Sequence, residues 1–223
     1  MNPSALEMMR RHVGALYTFD ARGRMTGVNQ WDGGIAPRFF LGRTAEGQVA
    51  CLRSDVPDDL VGALSALPAS AHDDAYLRLL ARRAPVTRVW HGPAFAFVTD
   101  VPIHTAGVVA IDESNVDLLR GGLEAWLPDV PHRRPFLAAI EGGRAVSVCA
   151  SVRITPAAHA AGVETLAAFR GRGHARAVVA AWARAVRGLG ALPLYSTSWE
   201  NMASRAVAAR LGMTMFGVDF HVT

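Results

Sequence analysis

The chain contains no lysine, so all 23 of its basic residues are arginine. A P-loop nucleotide-binding site is thereby excluded, because that motif needs a lysine that reaches the terminal phosphates. Against 19 acidic residues, the arginines leave a formal net charge of +4. They are scattered without an interleaved aromatic stripe, which favours solvated surfaces over a nucleic-acid-binding face. We therefore expect no nucleic-acid partner, and a nucleic-acid binder is the weakest function considered.

Cysteine is scarce too. Only Cys51 and Cys149 occur, without a CxxC partner, and they are predicted to be buried free thiols of a reducing compartment. The 8 histidines show no HxH or HxxxH spacing, which argues against a metal site. No apolar run approaches the roughly 18 to 20 residues of a membrane span, and the N-terminus lacks a signal-peptide pattern. We expect a cytoplasmic protein with no metal and no membrane partner.

Residues 1–104 are predicted to form an α+β region of unknown role. Turn residues between apolar stretches and apolar residues at helical spacing indicate hairpins and helices. The predicted elements are the hairpins 17–19 with 24–26 and 38–41 with 48–52, helices from about 55 and over 73–83, and two short strands between 86 and 98. In the helix over 73–83, Leu77, Leu80 and Ala81 are expected to face inward.

Residues 105–223 are patterned more clearly. A capping box at Ser114 predicts a helix with Leu118, Leu119, Leu123 and Trp126 on one face. Irregular chain over 130–135 is followed by the order β-β-β-loop-α-β-α-β. Its predicted elements are strands at 136–140, 145–154, 160–166, 192–198 and 213–222, a helix after the loop, and another from about 201 that ends at Gly212. Apolar and polar residues alternate along the second strand. The helix after the loop is predicted to place one stripe inward, formed by Ala175, Val178, Val179, Trp182 and Val186.

The loop between the third strand and the helix is the most informative segment. It reads Arg170-Gly171-Arg172-Gly173-His174-Ala175. Two glycines allow the backbone amides to turn toward an anion, and the following helix offers its positive N-terminal end to the same anion. A dinucleotide fingerprint would need a third glycine where Arg176 stands. The loop is therefore predicted to bind a phosphate group outside the dinucleotide-binding class.

The R-x-x-G-x-A pattern of Arg170, Gly173 and Ala175 resembles the pyrophosphate loop of the GNAT superfamily of acyl-CoA N-acyltransferases. A second motif, Asn201 followed by Leu211-Gly212-Met213, is similar to that family's second conserved helix, with methionine in place of the usual aromatic residue. The likeness covers roughly residues 135–222. It implies a mixed, mostly antiparallel central sheet flanked by helices, with residues 105–223 as the catalytic domain and an N-terminal α+β extension.

The resemblance also implies how acetyl-CoA, as co-substrate, would bind. The backbone around Val163 and Thr165 would pair with the pantetheine arm like an added strand. The amides of the loop would hold the pyrophosphate, with charge from two arginines, and Asn201 and Ser204 would touch the pantetheine or the thioester end. The loop residues concerned are Arg170, Gly171, Arg172, Gly173, His174 and Ala175.

The proton carriers are less clear from the sequence. The family's glutamate position falls near His159, while the nearest carboxylate on that strand is Glu164, so either is a candidate base. The family's tyrosine, which protonates the departing thiolate, falls at Ala208. Tyr195 on the preceding strand is the candidate replacement, although a buried aromatic role is the more ordinary one.

The resemblance implies an N-acetyltransferase in which an amine attacks the acyl-CoA thioester directly. The acceptor would be a small-molecule or peptide amine, which the sequence does not identify further. A homodimer is compatible with the sequence. The alternative is a non-catalytic acyl-CoA-binding module, suggested by the unclear base and by the alanine at position 208.

Overall fold

The computed structural model describes residues 3–97, 105 and 107–223. The chain divides into two compact units. The first comprises Met1–Ala94, Thr197–Glu200 and Met215–Thr223, and the second comprises Phe95–Ser196 and Asn201–Thr214. The first unit therefore gathers residues from both ends of the chain. The sequence-predicted boundary at residue 104 lies outside the described residues.

The first unit contains helices packed on a short sheet. Its elements are α1 (Ala5–Leu16), β1 (Tyr17–Phe19), β2 (Met25–Val28), β3 (Phe39–Thr44), β4 (Gly47–Leu52), α2 (Asp58–Ser65), α3 (Asp73–Ala81), β5 (Val89–Ala96) and β11 (Thr214–Val222). The strands of the sheet follow the order β4-β3-β11-β5, and a separate hairpin pairs β1 with β2. β5 and β11 lie for the most part in this unit.

The core of the first unit forms between the sheet and the helices α2 and α3. Phe39 stacks on Tyr76 with 5.1 Å between ring centroids, and Leu80 is fully buried beside them. The helix α1, which no sequence pattern predicted, begins at a serine cap: Ser4 Oγ accepts from Glu7 N at 3.3 Å. It buries His12, whose Nε2 lies 2.7 Å from Asp219 Oδ2 on β11.

The second unit has five strands in the order β10-β9-β8-β7-β6. The neighbours from β6 to β9 are antiparallel, and β9 and β10 are parallel. Its elements are β6 (Val108–Ala110), the short 3₁₀ helices η1 (Val116–Leu119) and η2 (Glu124–Asp129), β7 (Phe136–Glu141), β8 (Arg144–Ile154), β9 (Ala158–Thr165), η3 (Ala167–Phe169), α4 (His174–Gly188), β10 (Leu192–Ser196) and α5 (Met202–Arg210).

The order predicted for the C-terminal half is confirmed, as is a mixed and mostly antiparallel sheet flanked by helices. The central strand β8 is buried on both faces: Ser147, Cys149 and Ser151 on one side are as fully buried as Val148 and Ala150 on the other. Burial raises the pKa of the Cys149 thiol well above its ordinary value, which keeps this cysteine protonated and unreactive.

Several local predictions are wrong. The helix expected from Ser114 is replaced by η1 and η2, because Gly121 and Gly122 adopt φ values of +99° and +132° that end the first turn. The two strands expected over 86–98 are one continuous strand as far as residue 96, and Val98 lies outside the described residues. In α3 the inward residue next to Leu80 is Tyr76, whereas Ala81 is exposed.

Within residues 3–97, 105 and 107–223, no helix is both long and apolar enough to cross a membrane.

Candidate active site

The glycine loop joins η3 to the N-terminus of α4. Gly171 and Gly173 have φ values of +77° and +90°, and Gly173 occupies the N-cap position without a side-chain hydrogen bond to the helix. A Cβ atom added at either glycine would meet nothing within 4 Å. Backbone conformation, not space, therefore requires glycine here. The result is an open turn at the N-terminal, positive end of a helix.

The helix α4 is held in place by a buried stripe. Val178, Val179, Trp182 and Val186 are all fully buried, which confirms the predicted inward face. Ala175, in the first turn, is half-buried. Because the stripe anchors 15 residues of helix, the loop is presented from a rigid element.

The charged side chains of the loop have partners within the unit. Arg170 Nε donates to Thr165 O at 3.3 Å. Arg172 Nη1 lies 2.9 Å from Glu141 Oε1, and His174 Nε2 lies 2.9 Å from Glu141 Oε2. One carboxylate at the end of β7 thus contacts both an arginine and a histidine of the loop. The sequence analysis did not identify Glu141 as a site residue.

The strand β9 leads into this loop with one edge open. Its parallel pairing with β10 extends only from Ala158–Leu192 to Ala160–Leu194, whereas β9 continues to Thr165. On the other side, pairing with β8 continues as far as Ser147–Thr165. Among the described residues, the backbone of β9 beyond Ala160 therefore has no strand beside it on the β10 side, and Val163 and Thr165 lie in that segment.

The two candidate bases lie on opposite faces of β9. Glu164 is exposed, and its Oε2 accepts from Trp126 Nε1 on η2 at 2.6 Å. His159 is buried, and its Nδ1 lies 2.8 Å from Ser151 Oγ. Ser151 Oγ in turn accepts from Trp182 Nε1 on α4 at 3.0 Å. The odd separation of positions 159 and 164 explains the opposite orientation in a strand.

These environments differ chemically. Burial lowers the pKa of His159, because a buried imidazolium loses hydration. The ring is therefore neutral near pH 7 and tied into the helix-facing layer. Glu164 stands at the surface with one carboxylate oxygen fixed by an indole N–H. Of the two, Glu164 is the one that an acceptor from solvent can reach.

A third group of candidate residues comes together around α5. Asn201 caps this helix, its Oδ1 accepting from Ser204 N at 3.0 Å. The Tyr195 hydroxyl lies 2.5 Å from Ser204 Oγ. Burial raises the pKa of Tyr195, and its hydrogen bond to Ser204 opposes that shift. Ala208, at the family's tyrosine position, is fully buried in the same core cluster as Tyr195.

In the described part of the chain, no group of three or more histidine, cysteine, aspartate or glutamate side chains is arranged to hold a metal ion.

The chain was compared with known proteins. Residues 108–213 match the model of the Acetyltransferase (GNAT) family, and no curated protein matches the sequence. The fold is similar to that of a GCN5-related N-acetyltransferase-like protein from Streptococcus suis, with a TM-score of 0.51, 17% identity, and coverage of 99% of this chain and 100% of that one.

A second solved structure is a putative GNAT-family acetyltransferase from Novosphingobium aromaticivorans. The TM-score is 0.50 and the identity is 19%. The aligned region covers 62% of this chain and 65% of the length of that protein. At these identities the structures show a shared fold. The family itself rests on the family model, which matches residues 108–213, just under half of the chain, as a GNAT acetyltransferase domain.

Proposed function

We propose that this protein transfers an acetyl or related acyl group from acyl-CoA to an amine by direct attack of the amine on the thioester. The observation that carries the proposal is the continuity of two features. The open edge of β9 beyond Ala160 runs directly into a turn with two positive-φ glycines at the start of α4. An extended amide-bearing arm fits the first feature, and a pyrophosphate fits the second.

The proposed donor site follows from that arrangement. The backbone of Val163 and Thr165 hydrogen-bonds the pantetheine amides. The amides of residues 171–175 hold the pyrophosphate, and Arg170 and Arg172 add charge at its rim. Both guanidinium groups are exposed, so they can leave their present partners at little cost. Asn201 and Ser204 are the proposed contacts near the thioester.

The proposed chemistry assigns two proton carriers. Glu164 removes a proton from the acceptor ammonium, because only the neutral amine is nucleophilic. Its attack forms a C–N bond and a tetrahedral oxyanion, which a β9 amide near Thr165 stabilises. Collapse breaks the C–S bond, the nitrogen of the new amide releases its second proton to solvent, and the thiolate that leaves is protonated by Tyr195 or by solvent. His159 is the alternative base.

A non-catalytic acyl-CoA-binding module is the second candidate. It is supported by Ala208, which carries no hydroxyl where the family's acid would stand, and by the burial of His159. In that case the same loop and strand would bind the donor, but no acceptor amine would be acylated.

A coenzyme A release assay with acetyl-CoA and a broad panel of small amines and peptide N-termini tests the proposal. We expect release with at least one amine, and mass spectrometry of the product should show an added acetyl group. Acetyl-CoA binding without release from any amine would instead support the binding module. Absence of both binding and release would contradict the proposed donor site.

A further inference from the structure

We propose that Trp126 is a positioning residue that fixes the Glu164 carboxylate for proton transfer. This inference rests on the proposed function, in which Glu164 is the base. Trp126 lies on η2, outside both conserved motifs, and its indole N–H donates to Glu164 Oε2 at 2.6 Å. The hydrogen bond involves a charged acceptor, the stronger class of such bonds.

Within the part of the chain that the structure describes, only one of the two carboxylate oxygens of Glu164 accepts a hydrogen bond. The N–H of Trp126 holds one oxygen, while Oε1 has no partner among the described residues. A glutamate on an exposed strand position otherwise has several rotatable bonds. Fixing one oxygen restricts where the other points, and proton transfer depends on that position to within a fraction of an ångström. The indole thus selects one orientation of the base.

The indole is itself held on several sides. Its ring meets Phe136 edge to face, with centroids 5.6 Å apart at 86°. The Arg133 guanidinium lies 5.6 Å from the ring centroid and is paired with Asp129 at 2.9 Å. The half-buried side chain therefore has little freedom to change rotamer.

Gly162 supplies the space that this arrangement needs. It precedes Glu164 by two residues on β9, so both positions lie on one face of the strand. A Cβ atom at Gly162 would lie 3.2 Å from Trp126 Cη2 and would overlap Val152 Cγ1. Glycine here lets the indole lie close over the strand, where it can reach the glutamate.

A double-mutant cycle of Trp126→Phe and Glu164→Gln, measured with acetyl-CoA and the best amine of the panel, tests this role. Trp126→Phe removes the N–H but keeps an aromatic ring, and should lower kcat about tenfold with the KM for acetyl-CoA unchanged. Glu164→Gln should lower kcat about 100-fold. The double variant should equal Glu164→Gln alone, because Trp126 acts only through Glu164. Losses that multiply would overturn the proposal.

Trp182→Phe is the matched control. It also removes an indole N–H of the same unit, but one that donates to Ser151 on the other face of the sheet. Its effect on kcat should combine independently with that of Glu164→Gln. If Trp182→Phe lowers kcat while Trp126→Phe leaves it unchanged, His159 is the base and the proposal is overturned.

A spectroscopic measurement separates this inference from the proposed function. In a ¹H–¹⁵N spectrum, the Trp126 indole peak, identified by its loss in Trp126→Phe, should move in Glu164→Gln while the Trp182 peak stays in place. An unmoved Trp126 peak with normal turnover contradicts the positioning role alone. Absence of turnover by the wild type contradicts the proposed function, and with it the catalytic part of this role.

Discussion

Each unit contains a histidine–carboxylate pair, and the two pairs contrast sharply. In the first unit, His12 and Asp219 meet at 2.7 Å with side chains 0% and 1% exposed. In the second, His174 and Glu141 meet at 2.9 Å with side chains 20% and 41% exposed. The two pairs thus have similar distances but very different solvent exposure. A buried pair costs much to break, whereas an exposed pair is worth little and can exchange partners.

The contrast separates support from function. His12 Nδ1 and Asp219 Oδ1 are buried without further hydrogen-bond partners, so each side chain depends on the other. Glu141 instead shares its carboxylate between two groups of the glycine loop. A phosphate that approached this loop would compete for those groups. We infer that the first pair stabilises its unit and that the second adjusts the charge of the loop proposed to bind the pyrophosphate.

His12→Ala should give the largest effect on stability. The substitution leaves the Asp219 carboxylate buried and unpaired, which should lower the free energy of unfolding by about 3 to 5 kcal/mol. Urea denaturation of the variant and of Asp219→Asn, which retains a hydrogen-bonding amide, measures this. A loss below about 1 kcal/mol would place the buried pair in the same class as the exposed one and remove the contrast.

A half-buried histidine of the first unit, His221, should make stability depend on pH. Burial, more than the neighbouring charges, lowers the pKa of His221 to about 4. Between about pH 6.5 and that value, the unfolded chain binds a proton that the folded protein does not. The free energy of unfolding should therefore fall by about 1.4 kcal/mol for each pH unit of acidification in this window.

His221→Gln is the variant that isolates this dependence. It removes the titrating ring that packs 4.6 Å from Trp90, so the slope between pH 6.5 and about 4 should become shallower by about one proton. Urea unfolding at several pH values measures both proteins. An unchanged slope would assign the acid sensitivity to other groups.

Glu141→Gln should have the smallest effect on stability and a visible one on binding. Loss of the carboxylate's contacts to Arg172 and His174 should change the free energy of unfolding by less than about 1 kcal/mol. Removing a negative charge beside the proposed phosphate site should tighten acetyl-CoA binding a few-fold at low salt, and less at high salt. Arg172→Gln should weaken binding under the same conditions. Calorimetry with the two variants measures both, and identical affinities would show that the pair does not face the ligand.

The sequence predicted best where local pattern determines structure. Alternating residues marked β8, and apolar spacing marked the buried face of α4, including Trp182. Gly173 lies at the start of α4 and Gly212 just after the end of α5. Both have positive φ values, as expected of glycine at helix ends. The helix expected at Ser114 failed because Gly121 and Gly122 interrupt it, and apolar spacing alone did not register that interruption.

The contacts that define the site were not accessible from local pattern. Trp126 reaches Glu164 across 38 residues, and Glu141 reaches His174 across 33. His12 and Asp219 are 207 positions apart. Such pairs depend on strand register and on how elements pack, which one sequence does not encode locally. The assigned roles of Glu164, His159 and Tyr195 stay predictions, as does the domain boundary at residue 104.

The most direct test is calorimetric titration of acetyl-CoA into the wild type, Gly173→Asp and Gly190→Asp. Gly190 is the matched control: it follows the far end of α4, has φ +79°, and has open space around an added Cβ, as Gly173 does. We predict binding by the wild type and by Gly190→Asp, and a loss of at least about 100-fold in Gly173→Asp, since a carboxylate there repels the pyrophosphate. Equal affinity in Gly173→Asp and the wild type would contradict the assignment of this loop as the acyl-CoA site.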